Sequence, residues 1–598
     1  MKFVRKVLLA AVATLVLVCL WGLAAAQEDH DHSHAPPARN PLGELARKET
    51  GALIVQDFQG RMKPLDTLAR EMVVKITKRP NFAGWEPLDL YLSWLANPQH
   101  WFEQPLLYVR HPDLKQQLGV SASTTHVSAA SLIDADGQYA LSALVEETLR
   151  TPDKNRSKMQ RRLLSFDERF NLFYMTLQGR TLRLYPIPGD ENNTWTDIRN
   201  VTERLSAEQA DRFQAAFRPI LTGVRDLNRE ELLSGVRATA AIQAEFGSEV
   251  LPGQTALRSE LLLNSTSPFR RVIFPYMIGF LVLMIAFAWT LVRRGGAPYF
   301  WRHPLYLVGS LIFWGSLLIH LAGFVLRWVA SGRAPLSNGY ESLVFISLCV
   351  ALAGLIFESK DRRGSAAGLA SLLAGTVLGI SMMSAFDPAI GPLVPVLASY
   401  WLNIHVTVIT SSYGFFGLGA LLGGLILVLH FFKGPGRSAL RQTVLKLDRL
   451  LFNVLVTGIA LLSVGTLLGG VWANESWGRY WGWDPKETWS LVSILIYAAV
   501  LHFRWIPALN RPWVLASGSF LSIASIIMTY FGVNYFLVGL HSYAQGEAAR
   551  VPTWVWLGSA VMLLLVLASG WFDRHRSWGV SPEQTPQEAP EPPERVPA

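Results

Sequence analysis

Past residue 271 the chain alternates between long apolar runs and short polar breaks. The runs are Val272–Val292, Leu305–Leu326, Ser342–Phe357, Ala366–Met383, Ile404–Phe432, Leu450–Val471, Thr488–Phe503, Pro512–Phe531 and Pro552–Phe572. A helix crossing the hydrocarbon layer needs about 20 apolar residues, and most of these runs approach or exceed that length. Ser342–Phe357 and Thr488–Phe503 hold only 16 residues each. Tyr340, Trp489 and Trp505 beside them can carry the helix into the membrane interface.

Upstream the pattern changes. Residues 41–270 have globular composition, and apolar positions recur at helical spacing over Leu205–Phe217 and Arg229–Phe246. Further upstream, Lys2, Arg5 and Lys6 lead into an apolar run ending in Ala24-Ala25-Ala26, the layout of a secretory signal. The run is also long enough to persist as an anchor. Either way it places residues 41–270 outside the cytoplasm. The expected architecture is an all-α polytopic membrane bundle of about nine transmembrane helices behind an extracytoplasmic, helix-rich α/β domain. The chain then divides into a signal peptide or anchor (1–26), a linker with His30, His32 and His34 (27–40), the outer domain (41–270), the membrane domain (272–572) and a Pro/Glu-rich cytoplasmic tail (573–598). The linker histidines read as a solvated stretch with weak affinity for metal.

Half of the residues are hydrophobic, so a single soluble domain is excluded. The net charge of +9 does not point to nucleic acid, because the cations sit in short loops between the apolar runs. With the first run starting outside, the cytoplasmic loops and the tail as far as Arg576 hold fifteen Lys and Arg and the outer loops five. That bias agrees with the signal and sets a multi-pass topology in the inner (plasma) membrane. The two cysteines, Cys19 and Cys349, both lie in apolar segments, so neither a CxxC pair nor a CxxCH haem-attachment motif is present.

Two stretches stand out. In the outer domain, Gln56 to Thr67 places Arg61 and Lys63 between Gly60 and Pro64. This is either a turn that shows charge to a partner or one whose Asp66 caps a helix over Leu68–Thr77. The second stretch, Trp472–Trp489, packs five tryptophans and a tyrosine into 18 residues, with Gly478 and Gly482 between the rings and Asp484-Pro485 turning into the next run. An interfacial belt needs no such glycines. The surface suits a flat, conjugated, amphipathic ligand with acidic groups, for which Arg479 and Lys486 are candidate partners. A porphyrin, a quinone and a lipid headgroup all satisfy that chemistry.

The stretch WGRYWGWDPKETWSL resembles the tryptophan-rich WWD signature of haem-handling proteins in cytochrome c maturation. Its Lys-Glu-Thr continuation is similar to the CcsA family (System II) rather than to CcmF and CcmC (System I). Leu336-Ser-Asn338-Gly-Tyr340-Glu341-Ser and Phe531 to Ala544 also resemble CcsA patterns, so the likeness spans about residues 305 to 545. It implies non-covalent haem b held at the outer face. Trp477, Trp481, Trp483, Asp484 and Arg479 would belong to the haem site, and His405 and His541 would be the axial iron ligands. Asp484 could orient a ligand or cap the helix after it. The resemblance also implies a transmembrane haem-receiving role for His502. That site's second ligand stays open between His320, His430 and a partner. His303 and His575 read as solvated loop residues.

The function so implied is cytochrome c biogenesis: haem export and presentation for covalent attachment to the CxxCH of apocytochrome c. The chain would be part of a haem lyase, with no residue assigned a catalytic role. Implied partners are apocytochrome c, a CcsB (ResB-like) membrane subunit, thiol-reducing proteins and membrane lipid, and no nucleic acid. The alternatives are a haem transporter without ligation activity, a System I-type lyase component, and a structural membrane anchor whose outer domain recruits assembly factors and whose Trp-rich loop is merely interfacial.

Overall fold

The computed structural model describes residues 43–134, 136–292, 303–383, 386–393, 398–537, 539, 551 and 553–578. The signal segment, the histidine linker, His541 and residues 579–598 of the tail lie outside the described residues.

Two hydrophobic cores organise these residues, one drawn from Ala46 to Ile242 and the other from Phe269 to Val566. The first belongs to an α/β domain. Strands β1 (Ile54–Gln56), β2 (Met62–Pro64), β5 (Arg183–Pro186) and β6 (Trp195–Asp197) form an antiparallel sheet in the order β2-β1-β5-β6. Strands β3 (Pro105–Tyr108) and β4 (His126–Ser128) pair separately. The helices used below are α1 (Gly43–Gly51), α2 (Leu65–Thr77), α3 (Pro87–Ala96), α4 (Ala207–Arg225), α5 (Arg229–Phe246) and α6 (Gln254–Thr266).

Helices α4 and α5 fall where the helical spacing predicts them. Ser206 opens α4 with a capping box to Gln209, and Asn228 accepts from Glu231 N at the start of α5. Gly235 lets the pair close, because a Cβ there would meet Ala216 O at 2.9 Å. Gln243 of α5 then plugs into the sheet. Its amide donates to Ile54 O and Leu184 O at 2.8 and 3.0 Å and accepts from Ile54 N at 3.2 Å, which satisfies backbone groups in the buried sheet.

The Gln56–Thr67 stretch does not show its cations to a partner. Arg61 pairs with Glu260 at 2.6 Å, and Lys63, buried, sits between Asp57 (2.8 Å) and Glu71 (2.6 Å). Nor does Asp66 cap the helix. Helix α2 starts one turn earlier than expected, with Pro64 at its N-cap, and Asp66 binds Arg70 at 2.8 Å and Asn264 at 2.9 Å.

Each of the nine apolar runs is a helix: α7 (Ile273–Val292), α8 (Pro304–Ser331), α9 (Gly339–Asp361), α10 (Ser365–Ser381), α11 (Tyr400–His430), α12 (Ser438–Trp477), α13 (Pro485–His502), α14 (Pro512–Ile527) and α15 (Thr553–His575). Eight of them belong to helices long and apolar enough to cross a membrane. The short one is α10, whereas the two runs of 16 residues lengthen into α9 and the span Pro485–Trp505. The chain is a polytopic all-α membrane protein with an N-terminal α/β domain. Small residues let its helices approach, as they do where lipid offers no hydrophobic drive. A Cβ at Gly354 of α9 would lie 2.2 Å from Ala370 of α10, and one at Gly465 of α12 would lie 2.9 Å from Ile409 of α11.

Candidate functional site

The Trp-rich stretch is two helix ends joined by the short connector Gly478–Asp484. Helix α12 runs on through Trp472 to Trp477 and stops at Gly478, whose left-handed φ of 68° makes the αL cap, its N–H bonded to Asn474 O. Within this connector Trp483, a non-glycine residue, takes φ 55°, a conformation that costs about 1–2 kcal/mol. Asp484 then opens α13: its Oδ1 accepts from Lys486 N at 2.9 Å, and Glu487 Oε2 accepts from Asp484 N at 3.1 Å and Gly482 N at 2.8 Å. This capping box spends both carboxylates on backbone N–H groups.

Under the connector lies a cavity of about 360 Å³ between α9, α11, α12, α13 and the segment after α14. Its aromatic wall includes Trp472, Trp477, Trp481 and Tyr480. Trp472 is buried, packs edge-on against Trp477 at 4.8 Å, and lies nearly parallel to the His405 imidazole, 9° apart with centroids at 6.4 Å.

His405 is placed by α11 and fixed from α12. Its Nδ1 is 2.7 Å from Gly465 O. A carbonyl only accepts, so Nδ1 carries a proton; in the neutral ring the lone pair is then on Nε2, the atom that ligates metals. The ring fits only because Gly469 has no side chain: a Cβ there would stand 2.6 Å from His405 Cε1. Gly470 likewise admits the carbonyl of Tyr480, 3.0 Å from where its Cβ would be.

Two cations line the cavity among the described residues, Arg333 and Lys486. Lys486 Nζ donates to Asn534 Oδ1 at 3.1 Å. Arg333 donates to Ser337 Oγ and, at 2.8 Å, to Gly391 O. Burial pulls its guanidinium below the ordinary arginine range, and nearby Glu341 pulls it back. Glu341 is fully buried. Its Oε1 accepts from Arg327 Nη2 at 2.8 Å and Nε at 3.0 Å, and its Oε2 from Ser337 N and Oγ at 2.9 and 2.8 Å.

Of the residues singled out in the sequence, the structure brings His405, Trp477, Trp481 and Lys486 into one cavity. Arg479 and Trp483 are exposed beyond its wall, and Asp484 is a buried cap. His502 sits near the far end of α13, exposed and edge-on to Trp505 at 4.5 Å, about 24 Å along the helix from Lys486 at 1.5 Å per residue. His320 is fully buried, between Tyr276 Oη (3.3 Å) and Val344 O (3.2 Å). His430 is also buried, with Nδ1 on Ile426 O at 2.8 Å. His575 is exposed, as expected, but His303 is not the solvated residue its basic loop suggests: it is buried and caps α8 by accepting from Tyr306 N.

Several cavity residues escaped the sequence reading, among them Arg333, Tyr413, Tyr530 and the glycines of α12. One signal was present. His405, Ile409 and Tyr413 recur every four residues and so share a face of α11.

Residues 336–541 match the model of the cytochrome C assembly protein family. The chain is 36% identical to protein NrfI of Wolinella succinogenes over 523 residues, 87% of this chain and 57% of the relative. It is 38% identical over 236 residues to cytochrome c biogenesis protein CcsA of Chlamydomonas reinhardtii, 38% of this chain and 66% of the relative. It is 35% identical over 269 residues to the protein of that name from a Synechococcus strain, 40% of this chain and 86% of the relative. The chain thus spans a little over half of NrfI and just under two thirds of the Chlamydomonas protein.

Proposed function

This chain belongs to the CcsA family of cytochrome c biogenesis proteins, and on that premise we propose that it binds haem as cargo in the cavity beside His405 and presents it to apocytochrome c. The observation that carries this reading is the carbonyl-bound imidazole of His405 inside a tryptophan-walled cavity. With Nδ1–H on a carbonyl, Nε2 is the nitrogen suited to iron in the neutral ring, and one imidazole suits a metal whose porphyrin ring already supplies the equatorial ligands. The indole faces offer a broad apolar surface for the ring, and Lys486 and Arg333 are cations within reach of its carboxylates.

His541 is the proposed second axial ligand. His502 is proposed as the inner receiving residue, with haem entering near the far end of α13. The N-terminal domain and the Trp-rich stretch face the outside, in line with the fifteen-to-five bias of basic residues. When bound, haem supplies the vinyl groups across which the two CxxCH thiols add. Each addition forms a C–S bond, and the thiol proton goes to the neighbouring carbon, so no oxidant is consumed. The protein's contribution is then to hold ring and peptide in one orientation. A CcsB-like membrane subunit and thiol-reducing proteins complete the proposed pathway.

The test is the absorbance spectrum of the detergent-purified protein from haem-replete cells. A low-spin, bis-histidine b-type spectrum is expected. A colourless preparation refutes the reading.

A further inference from the structure

The turn between β1 and β2 is built to be stiff. Asp57 Oδ1 accepts from the backbone N–H groups of Gln59 and Arg61, each at 2.9 Å, and Gly60 supplies the positive φ of 85°. Lys63 ties the base of the turn to Glu71 of α2. Arg61 reaches Glu260 of α6, and Thr67 Oγ1 donates to the other oxygen of that carboxylate at 2.9 Å. Helix α6 continues through a short helix, Pro268–Arg271, into α7. The hairpin is therefore joined to the membrane bundle through a buried ionic contact rather than tethered by a loose linker.

The tip of the hairpin meets the segment that forms part of the cavity wall. Gln59 lies over Gly391, with its Oε1 only 3.4 Å from where a Cβ would stand. On the other side the same segment is held by Arg327 Nη1 on Pro388 O at 3.0 Å and Arg333 Nη2 on Gly391 O at 2.8 Å. Lys78, the left-handed cap of α2, is exposed; its charge is influenced by Arg169, Lys75 and Glu168 and, more weakly, by Asp387 of this segment. Leu393 and Arg333 line the cavity, while Gln59 and Lys78 do not.

We propose that the N-terminal domain is a brace for the cavity: its β1–β2 hairpin, aided at longer range by the charge of Lys78, holds the segment Asp387–Leu393 against Arg327 and Arg333 and so fixes the wall that retains the cargo. Gln59 and Lys78 are positioning residues, acting on the cavity only through that segment. Retention of haem rests on the function proposed above, whereas the mechanical coupling does not. A merely adhesive domain contact would add stability without changing how the wall moves.

The test uses full-length protein carrying Cys19→Ser and Cys349→Ser, with Leu393→Cys as a reporter. Its rate of labelling by a water-soluble maleimide reads the wall without any cargo. Gln59→Ala with Lys78→Glu should raise that rate about threefold, on the scale of losing one exposed polar contact and reversing one nearby surface charge. Adding Asp387→Lys to Lys78→Glu should reverse the charge change. Equal labelling in all variants overturns the brace, as does faster labelling accompanied by a lower melting temperature that Asp387→Lys fails to rescue. In haem-loaded protein the first variant should also release haem faster to an apo-globin scavenger with its spectrum unchanged. If labelling responds but no haem is ever bound, the haem reading fails and the brace stands. If haem binds and neither rate responds, the brace fails and the haem reading stands.

Discussion

His405 donates its Nδ1 proton to the carbonyl of Gly465 across the α11–α12 contact, at 2.7 Å. That bond orients the imidazole, and Gly469 provides the space it occupies.

Removing the imidazole and displacing it should differ. His405→Ala should abolish cytochrome c maturation, with partial recovery when free imidazole fills the vacancy. Gly469→Ala keeps the imidazole but pushes a methyl group into it, so haem content should fall while added imidazole gives less help. Haem content and c-type cytochrome yield are the measurements. Normal maturation in His405→Ala would remove His405 from the site.

Glu341 and Arg327 form a buried ion pair, and removing one partner strands the other charge. Glu341→Ala should destabilise the protein by about 3–5 kcal/mol. The double variant Glu341→Leu, Arg327→Met should recover much of that loss, as apolar replacements of buried pairs do. Thermal melts of single and double variants in one detergent decide it. Additive losses would show that the two side chains are not coupled.

Asp89 gives the N-terminal domain a pH dependence. Burial, opposed only in part by Arg47 at 3.0 Å, raises its carboxyl to about 6. Its folded pKa lies above the unfolded value, so the contribution is complete at acid pH, is lost as pH rises through about 6, and amounts to about 2–3 kcal/mol. Asp89→Asn cannot ionise. Relative to wild type it should therefore look better at pH 7.5 than at pH 4.5 in melting experiments. An identical difference at the two pH values would contradict the assignment.

Orientation follows from the distribution of basic residues. Reporter fusions after Trp477 should read as outside, and fusions after Arg441 and Ser577 as inside. A cytoplasmic reading at Trp477 would place the cavity on the wrong side for an exported apocytochrome.

The membrane helices were legible because block apolarity survives in the sequence whatever the tertiary contacts. Their ends were not: α12 extends through Ser438–Arg449 and Trp472–Trp477, where polar residues and tryptophans sit on a continuing helix that hydropathy alone reads as loop. The cavity was half legible. His405 and the tryptophans carry chemical identity, but Gly465 and Gly469 matter for what they lack, and that shows only when α11 lies against them. Arg61 looked like displayed charge because its partner, Glu260, is 199 residues away.

Helix α12 has 40 residues and is about 60 Å long, twice the hydrocarbon thickness of about 30 Å. Its basic stretch at one end and its tryptophans at the other therefore project past the acyl chains. The helix works as a mast: it carries the aromatic connector at a height set by covalent geometry rather than by the lipids around it. Thinning or thickening the membrane would slide the acyl boundary along the mast without moving the tryptophans relative to His405.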